Sequence, residues 1–414
     1  MWIAAHLFAV AFIGVCQGDE ATRERVDWNT QQLSSEFFSE GATVGDFNRD
    51  GEMDIASGPW WYEGPTWESK HQFYAQDAFD PHGYSNNFFS FAEDINGDGW
   101  DDVLVYGFPG NDASWYENPR GTDRFWSRHK VLERVDNESP TFVDITGDGR
   151  RDIVCSADGY FGYAEVNQDN PASPWKFVRI SDQSAGGKFT HGLGVGDVNN
   201  DGRMDLLERN GWWEHPSEGG KPWTLHRITL GEGHGPSQIF VYDVDGDNDQ
   251  DIISALNAHG FGLAWYENTG PDQFKRHLIM GSKPSENAFG LVFSQLHALQ
   301  LADIDGDGLR DIVTGKRYWA HGPTGDTQPQ HAAVVYWFQL QRDADGTKVK
   351  WIPRQIDNDS GVGVEVDVAD INGDQWPDVI VGNKKGTHVH LQQRSQVISA
   401  ERMRDFKIGG KDKA

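Results

Sequence analysis

The stretch DIDGDGLRD at 303–311 decides how this chain folds. Oxygen-bearing side chains stand at its positions 1, 3, 5 and 9, as Asp303, Asp305, Asp307 and Asp311. Gly308 at position 6 permits the left-handed turn that a tight loop requires. The pattern returns as DFNRDGEMD at 46–54, DINGDGWDD at 94–102 and DITGDGRRD at 144–152. It returns again as DVNNDGRMD at 197–205, DVDGDNDQD at 243–251 and DINGDQWPD at 370–378. The seven copies start 48, 50, 53, 46, 60 and 67 residues apart. Self-similarity at such periods means stacked supersecondary units, not one irregular fold.

Outward from each loop the residues are apolar and alternating or β-branched, as in QIFVY before and IISAL after the fifth copy. Such flanks predict strands. A third segment follows in most units: PWWYEG at 59–64, SWYEN at 114–118, GWWEH at 211–215, AWYEN at 264–268 and VYWF at 335–338. A fourth carries an aromatic and then an apolar residue five positions on, as in Trp126/Val131, Trp175/Ile180 and Trp223/Ile228. Four strands of decreasing burial describe a propeller blade. Only two strands, DVIVGN and THVHLQQ, follow the seventh loop, whereas Trp28 and Leu33 reproduce the fourth-strand pattern ahead of the first. The predicted fold is therefore all-β: a seven-bladed β-propeller of four-stranded antiparallel blades, closed by an N-terminal strand that completes the last blade. The domain limits read as a signal peptide at 1–18, the propeller at 19–394 and a basic tail at 395–414.

Hard oxygen donors at alternate positions, with a backbone carbonyl at position 7, suit Ca²⁺. The expected ligands are Asp46, Asn48, Asp50 and Asp54; Asp94, Asn96, Asp98 and Asp102; and Asp144, Thr146, Asp148 and Asp152. They continue with Asp197, Asn199, Asp201 and Asp205; Asp243, Asp245, Asp247 and Asp251; the four of the sixth copy; and Asp370, Asn372, Asp374 and Asp378. An EF-hand needs a Glu at position 12, and only Glu208 meets that, so the loop is a strand–loop–strand site. With these residues the chain resembles the FG-GAP/VCBS repeat family, whose blades occur in integrin α-subunit heads and exported bacterial proteins. The resemblance implies a propeller with up to seven structural Ca²⁺. Asn248 and Gln375 replace the position-6 glycine, and Gln enters the left-handed region poorly, so the seventh loop departs furthest.

The whole composition agrees with metal-binding loops. The chain has 64 acidic against 36 basic residues and a formal charge of −28, which argues against nucleic acid as its partner. Twenty-three Asp fall at the loop positions, where they repel one another without a cation. Residues 2–15 form an apolar run, with Cys16 and Gly18 placed for cleavage before Asp19, as in a secretory signal peptide. No later segment reaches 18 apolar residues, so no transmembrane segment is expected in the mature chain. Localisation reads as secreted, periplasmic or cell-surface, where millimolar calcium fills even weak sites. With Cys16 removed, Cys155 remains and is expected as a buried strand residue.

The face opposite the loops is where a ligand is expected. It gathers the second-to-third and fourth-to-first connections, and both long insertions, 281–296 and 320–333, fall there. His259, His297, Lys316 and Arg317 are the candidate catalytic residues, and His191, His234, Asn257, His321 and Lys384 the candidate ligand-binding residues. Arg209 and Asn210 belong to the same face. The strand residues His129, His226 and His277 repeat with the blades and are assigned to packing. Two functions compete. One is a module binding glycan or protein. The other is a carbohydrate lyase or dehydratase acting by β-elimination, since the repeat style resembles at fold level the propellers of polysaccharide lyases and of the fungal aldos-2-ulose dehydratase. There His259 or His297 would take the proton, and Lys316 and Arg317, or a metal held by histidines, would stabilise the enolate oxygen.

Overall fold

A computed structural model describes residues 23–182, 185–343, 346 and 348–397. The expected signal peptide at 1–18 and the tail beyond 397 lie outside the described residues. The described residues form two units. In the small one, residues 23–27 and 393–397, Asp27 pairs with Arg25 at 2.8 Å and accepts a hydrogen bond from Ser395. The large one, Trp28–Gln392, is an all-β propeller.

Each repeat unit folds the same way. A first strand runs into the loop, and the Asp at loop position 9 opens the second strand, as in Asp102–Tyr106, Asp311–Gly315 and Asp378–Asn383. These second strands are buried along their whole length, which their unbroken apolar runs require. Cys155 is buried within Asp152–Ala157. Large side chains from neighbouring units fill the space between sheets. Leu104, Trp115 and Val131 of the second unit pack with Phe142, Ile153 and Trp175 of the third. Each such side chain contributes about 1.5–3 kcal/mol of burial.

The seven units do not form seven separate blades. Five four-stranded sheets are present, and the fourth and fifth units merge into one eight-stranded sheet. The first strands of those units, Leu193–Gly196 and Gln238–Tyr242, pair in parallel with Leu193 opposite Gln238 and Gly194 opposite Ile239. Two glycines explain the departure from the expected seven-bladed closed propeller. A Cβ on Gly194 would lie 1.9 Å from the Ile239 carbonyl oxygen, and one on Gly196 would lie 2.6 Å from Val241 Cβ. Without those carbons the strands approach to hydrogen-bonding distance. Arg23–Ser34 is the outer strand of the sheet made with Gly386–Val397, Asp378–Asn383 and Asp367–Ala369.

The recurring Trp-Tyr/Trp-Glu segment has a structural use. His71, His129, His226 and His277 of the fourth strands stack against Trp61, Trp115, Trp212 and Trp265 at ring separations of 4.1, 4.6, 4.1 and 4.4 Å. Each also bonds the Glu of the same segment: Glu63, Glu117, Glu214 and Glu267. On the face away from the loops, backbone bonds stitch neighbouring units. The Glu40 amide donates to Asn87 O, Glu138 to Thr190 O, Gln295 to Gly260 O and Val362 to Lys316 O. These bonds fix the rim on which Glu138, His191, His259 and His297 stand.

Candidate metal centre

The seven loops are built alike, including those that depart from the pattern. Position 6 is left-handed in Gly51 (φ 90°), Gly308 (φ 87°), Asn248 (φ 74°) and Gln375 (φ 73°). Gln375 donates its amide to Asp370 Oδ2 at 2.8 Å, as Gly308 does to Asp303 at 2.9 Å, so the seventh loop closes like the sixth. The position-9 aspartates are buried and act first as backbone anchors. Asp311 accepts from the Ile304 and Leu340 amides, Asp102 from Ile95 and Asn118, and Asp378 from Ile371 and Gln392. Burial pushes Asp102 and Asp311 up to about 8, and Asp152, Asp205, Asp251 and Asp378 to about 7. In the fifth and sixth loops three carboxylates bring an oxygen each within 4.8 Å of one another: Asp243, Asp245 and Asp251, and Asp303, Asp305 and Asp311. A hard divalent cation suits that donor set.

A different cluster sits at the other end of the first strands. Glu138, His191 and His297 each fall six residues ahead of a loop's first Asp, which are Asp144, Asp197 and Asp303. The repeat thus delivers three side chains to one rim. His259 joins them from the connection after Asp251–Ala255. One ligand atom from each of the four lies within 4.8 Å of all the others. His191 Nε2 is 3.1 Å from His297 Nε2 and 3.0 Å from His259 Nε2. Glu138 Oε2 is 3.1 Å from His297 Nε2 and 3.6 Å from His191 Nε2. All four residues are buried.

Electrostatics favour the neutral form of these imidazoles, the form that can donate a lone pair to a cation. Burial holds His191 and His297 well below the ordinary histidine value, reinforced at His191 by His297 and at His297 by the Arg317 charge. His259 is lowered by burial against the pull of Asp326. A neutral imidazole has one proton, and here three Nε2 atoms and a carboxylate converge on one point. Self-pairing satisfies such a set poorly, whereas a cation accepts all four lone pairs. Three nitrogens and one oxygen suit Zn²⁺ or a neighbouring first-row ion. Asp326 supports the cage. Its Oδ1 is 3.3 Å from His259 Nδ1 and 2.7 Å from His321 Nδ1, and its Oδ2 accepts the His321 amide at 2.6 Å. Burial opposes its charge, but these hydrogen bonds outweigh it and hold the carboxyl well below the ordinary range.

Of the predicted residues, the structure gathers His191, His259, His297, His321 and His234, whose ring lies 5.2 Å from His259. Arg317 stands behind the centre, paired with Glu40 at 3.0 Å and 3.7 Å from Glu138 Oε2. Lys316 and Lys384 are buried and pin the 320–333 insertion. Lys316 Nζ bonds Ser294 Oγ at 2.9 Å and Thr327 O at 3.4 Å, and Lys384 Nζ bonds Trp319 O at 2.8 Å and Ala320 O at 3.4 Å. Burial lowers both amines to about 8. Asn257 caps its own turn by accepting the His259 amide at 3.2 Å. Sequence reasoning missed Glu138 and Asp326. The six-residue offset marks Glu138, whereas nothing local marks Asp326, which sits in an insertion outside the repeat.

The sequence profile of the FG-GAP-like repeat matches residues 94–155, 243–314 and 303–381. No curated protein matches the chain. Among solved structures, an Agrocybe aegerita lectin that recognises non-reducing terminal N-acetylglucosamine is 18% identical, with a TM-score of 0.50 and 84% of each chain covered. The rhamnogalacturonan lyase YesW is 11% identical, with a TM-score of 0.42, covering 88% of this chain and 72% of that one. A Photorhabdus luminescens Tc holotoxin pore is 17% identical at 0.37, covering 73% of this chain and 14% of that one. At 18% identity the likeness to the lectin is one of fold alone.

Proposed function

The chain carries FG-GAP repeats, and on that frame we propose a metal-dependent, carbohydrate-active protein whose centre is Glu138, His191, His259 and His297. The observation that carries this reading is the convergence of three imidazole nitrogens and a carboxylate oxygen within 4.8 Å. A divalent metal bound there supplies a Lewis acid for a sugar oxygen, the chemistry that elimination from an oxidised sugar needs. The chain's own residues do the rest. Asp326 fixes His259 and His321, and His321 is the half-exposed imidazole of the group, with its ring 4.7 Å from that of His259. With Nδ1 engaged by Asp326, Nε2 of His321 is left to carry a proton. Arg317 buffers the charge of Glu138. The exposed rings of Tyr84 and Phe189, linked through Phe108 at 5.1 and 5.5 Å, offer a stacking wall for a sugar face. The lectin of similar fold supports a glycan as the ligand.

In the same proposal the seven loops hold structural Ca²⁺, in keeping with export into a calcium-rich compartment. The test is elemental analysis of the purified protein beside that of His191→Ala and His297→Ala. One first-row ion per chain is expected in the native protein and less than a tenth of that in either variant. Elimination from oxidised and uronic oligosaccharides, followed by the ultraviolet absorbance of the unsaturated product, falls with it by about 100-fold or more. A native protein that takes up no first-row ion, even when offered Zn²⁺ or Mn²⁺ in excess, overturns the reading.

A further inference from the structure

Beside the centre lies a cavity of about 330 Å³ that the metal chemistry does not use. Thr190, which precedes His191, and His234 line the side shared with the centre. Arg209, Asn210 and Arg227 line the rest, with Trp213 and Phe189 as apolar surface. Arg209 and Asn210 form the two-residue turn between Asp205–Glu208 and Gly211–Glu214, where Glu208 pairs with Gly211. Arg227 ends the next strand, Thr224–Arg227, opposite Gly211. Arg227 therefore stands on a paired strand and Arg209 in the tight turn that joins two, which place them more rigidly than a free loop would.

Neither guanidinium has a carboxylate within salt-bridge distance among the described residues, in contrast to Arg317 with Glu40 or Arg276 with Glu232. The one hydrogen bond shown for Arg209 is a long one, 3.4 Å to Gly233 O. Glu208 lines the same cavity, but it is buried and its Oε2 already accepts from Asn210 N and Nδ2, both at 2.9 Å. Two cations thus face the cavity against one buried carboxylate, Glu208, which feels both charges, in a chain of net charge −28. A surface that repels anions elsewhere admits one here.

We propose that this cavity binds the anionic substituent, a carboxylate or a sulfate ester, of an acidic saccharide whose ring reaches the metal centre. The inference deepens the reading of that centre as a sugar site and rests on it. The guanidinium fork matches the paired oxygens of either anion, Asn210 and His234 add hydrogen-bonding groups, and Trp213 and Phe189 face the ring. A volume near 300 Å³ holds one sugar unit and its substituent. Neutralising a carboxylate beside the carbon that loses its proton also favours elimination.

The test is calorimetric titration of the metal-loaded protein with trigalacturonate, its methyl ester and a galactose 6-sulfate trimer. The double variants R209A/R227A and R209K/R227K are titrated beside it, with metal content measured on each sample. Both arginines are at least partly exposed, so the variants retain the fold. A charged probe is expected to bind at least about tenfold more tightly than the ester. R209A/R227A abolishes that preference at unchanged metal content and unchanged affinity for the ester, and R209K/R227K restores part of it. Preference for trigalacturonate or for the sulfated trimer identifies the anion. Equal affinity for trigalacturonate and its ester, no binding of either charged probe, or a preference that survives in R209A/R227A overturns the proposal. Failure of the centre itself registers separately, as absent metal with the charge preference intact.

Discussion

The two ends of the first strands were built by opposite rules. At the loop end the same nine residues recur seven times, and every copy has the same oxygen pattern and the same left-handed position 6. At the other end one position, six residues upstream of each loop, carries Glu40, Glu138, His191 and His297 in four units and Phe88, Ser237 and Val364 in the remaining three. Repetition serves stability, because each unit needs its own anchored turn. Divergence serves chemistry, because a single site needs different donors from several units aimed at one point. A repeat protein therefore shows its frame through what is constant and its site through what varies at a constant position.

The largest effect that would sharpen this contrast is expected from calcium removal. Chelation should lower the melting temperature by about 10 °C or more, and added Ca²⁺ should restore it. Stripping only the first-row ion should leave it nearly unchanged. The chelated protein should also become less stable as pH rises. Folding lifts the position-9 aspartates to between about 6 and 8, from about 4 in the unfolded chain. The folded state thus keeps protons that the unfolded state has released, so the contribution is complete below about pH 4 and is lost through pH 6–8. Calorimetry of the chelated protein at pH 5 and pH 8 reads the sign, and a more stable protein at pH 8 would break the account.

A smaller effect is expected at the junction of the fourth and fifth units. Gly194→Ala places a methyl group against the Ile239 carbonyl, forcing the parallel pair apart at a cost of about 2–4 kcal/mol. Denaturant unfolding measures it, and a neutral result would mean that the glycine does not hold the merged sheet together. The smallest is Asp311→Asn. The amide keeps one acceptor for Leu340 N or Ile304 N and sets its NH₂ against the other, for a loss of about 1–3 kcal/mol. A loss that persists in saturating Ca²⁺ assigns the residue to backbone anchoring, and one that vanishes there assigns it to metal binding.

Strands, loops and repeat count were legible because each is a local pattern: alternation, Gly at a left-handed position, acids at fixed offsets. The packing role of His129, His226 and His277 was legible too, since they recur with the Trp and Glu they contact. The merged sheet was not, because Gly194 and Gly196 acquire meaning only against Ile239 and Val241 of the next unit. His259 and His297 were singled out for proton transfer or for holding a metal, and Lys316 and Arg317 for charge; the structure brings both histidines together with His191 and Glu138, and ties Lys316 to Ser294 and Thr327.

By itself the sequence determined an all-β repeat frame, its acidic loops and the face on which histidines gather, since all of these follow from short-range periodicity and composition. Only the tertiary structure decided that Glu138, His191, His259 and His297 meet, that Asp326 backs them, and that Arg209 and Arg227 share a cavity. Those residues lie up to 188 positions apart, Glu138 to Asp326, and what joins them is the curvature of stacked sheets around a common axis. That curvature is set by packing between units, which no single stretch of chain encodes.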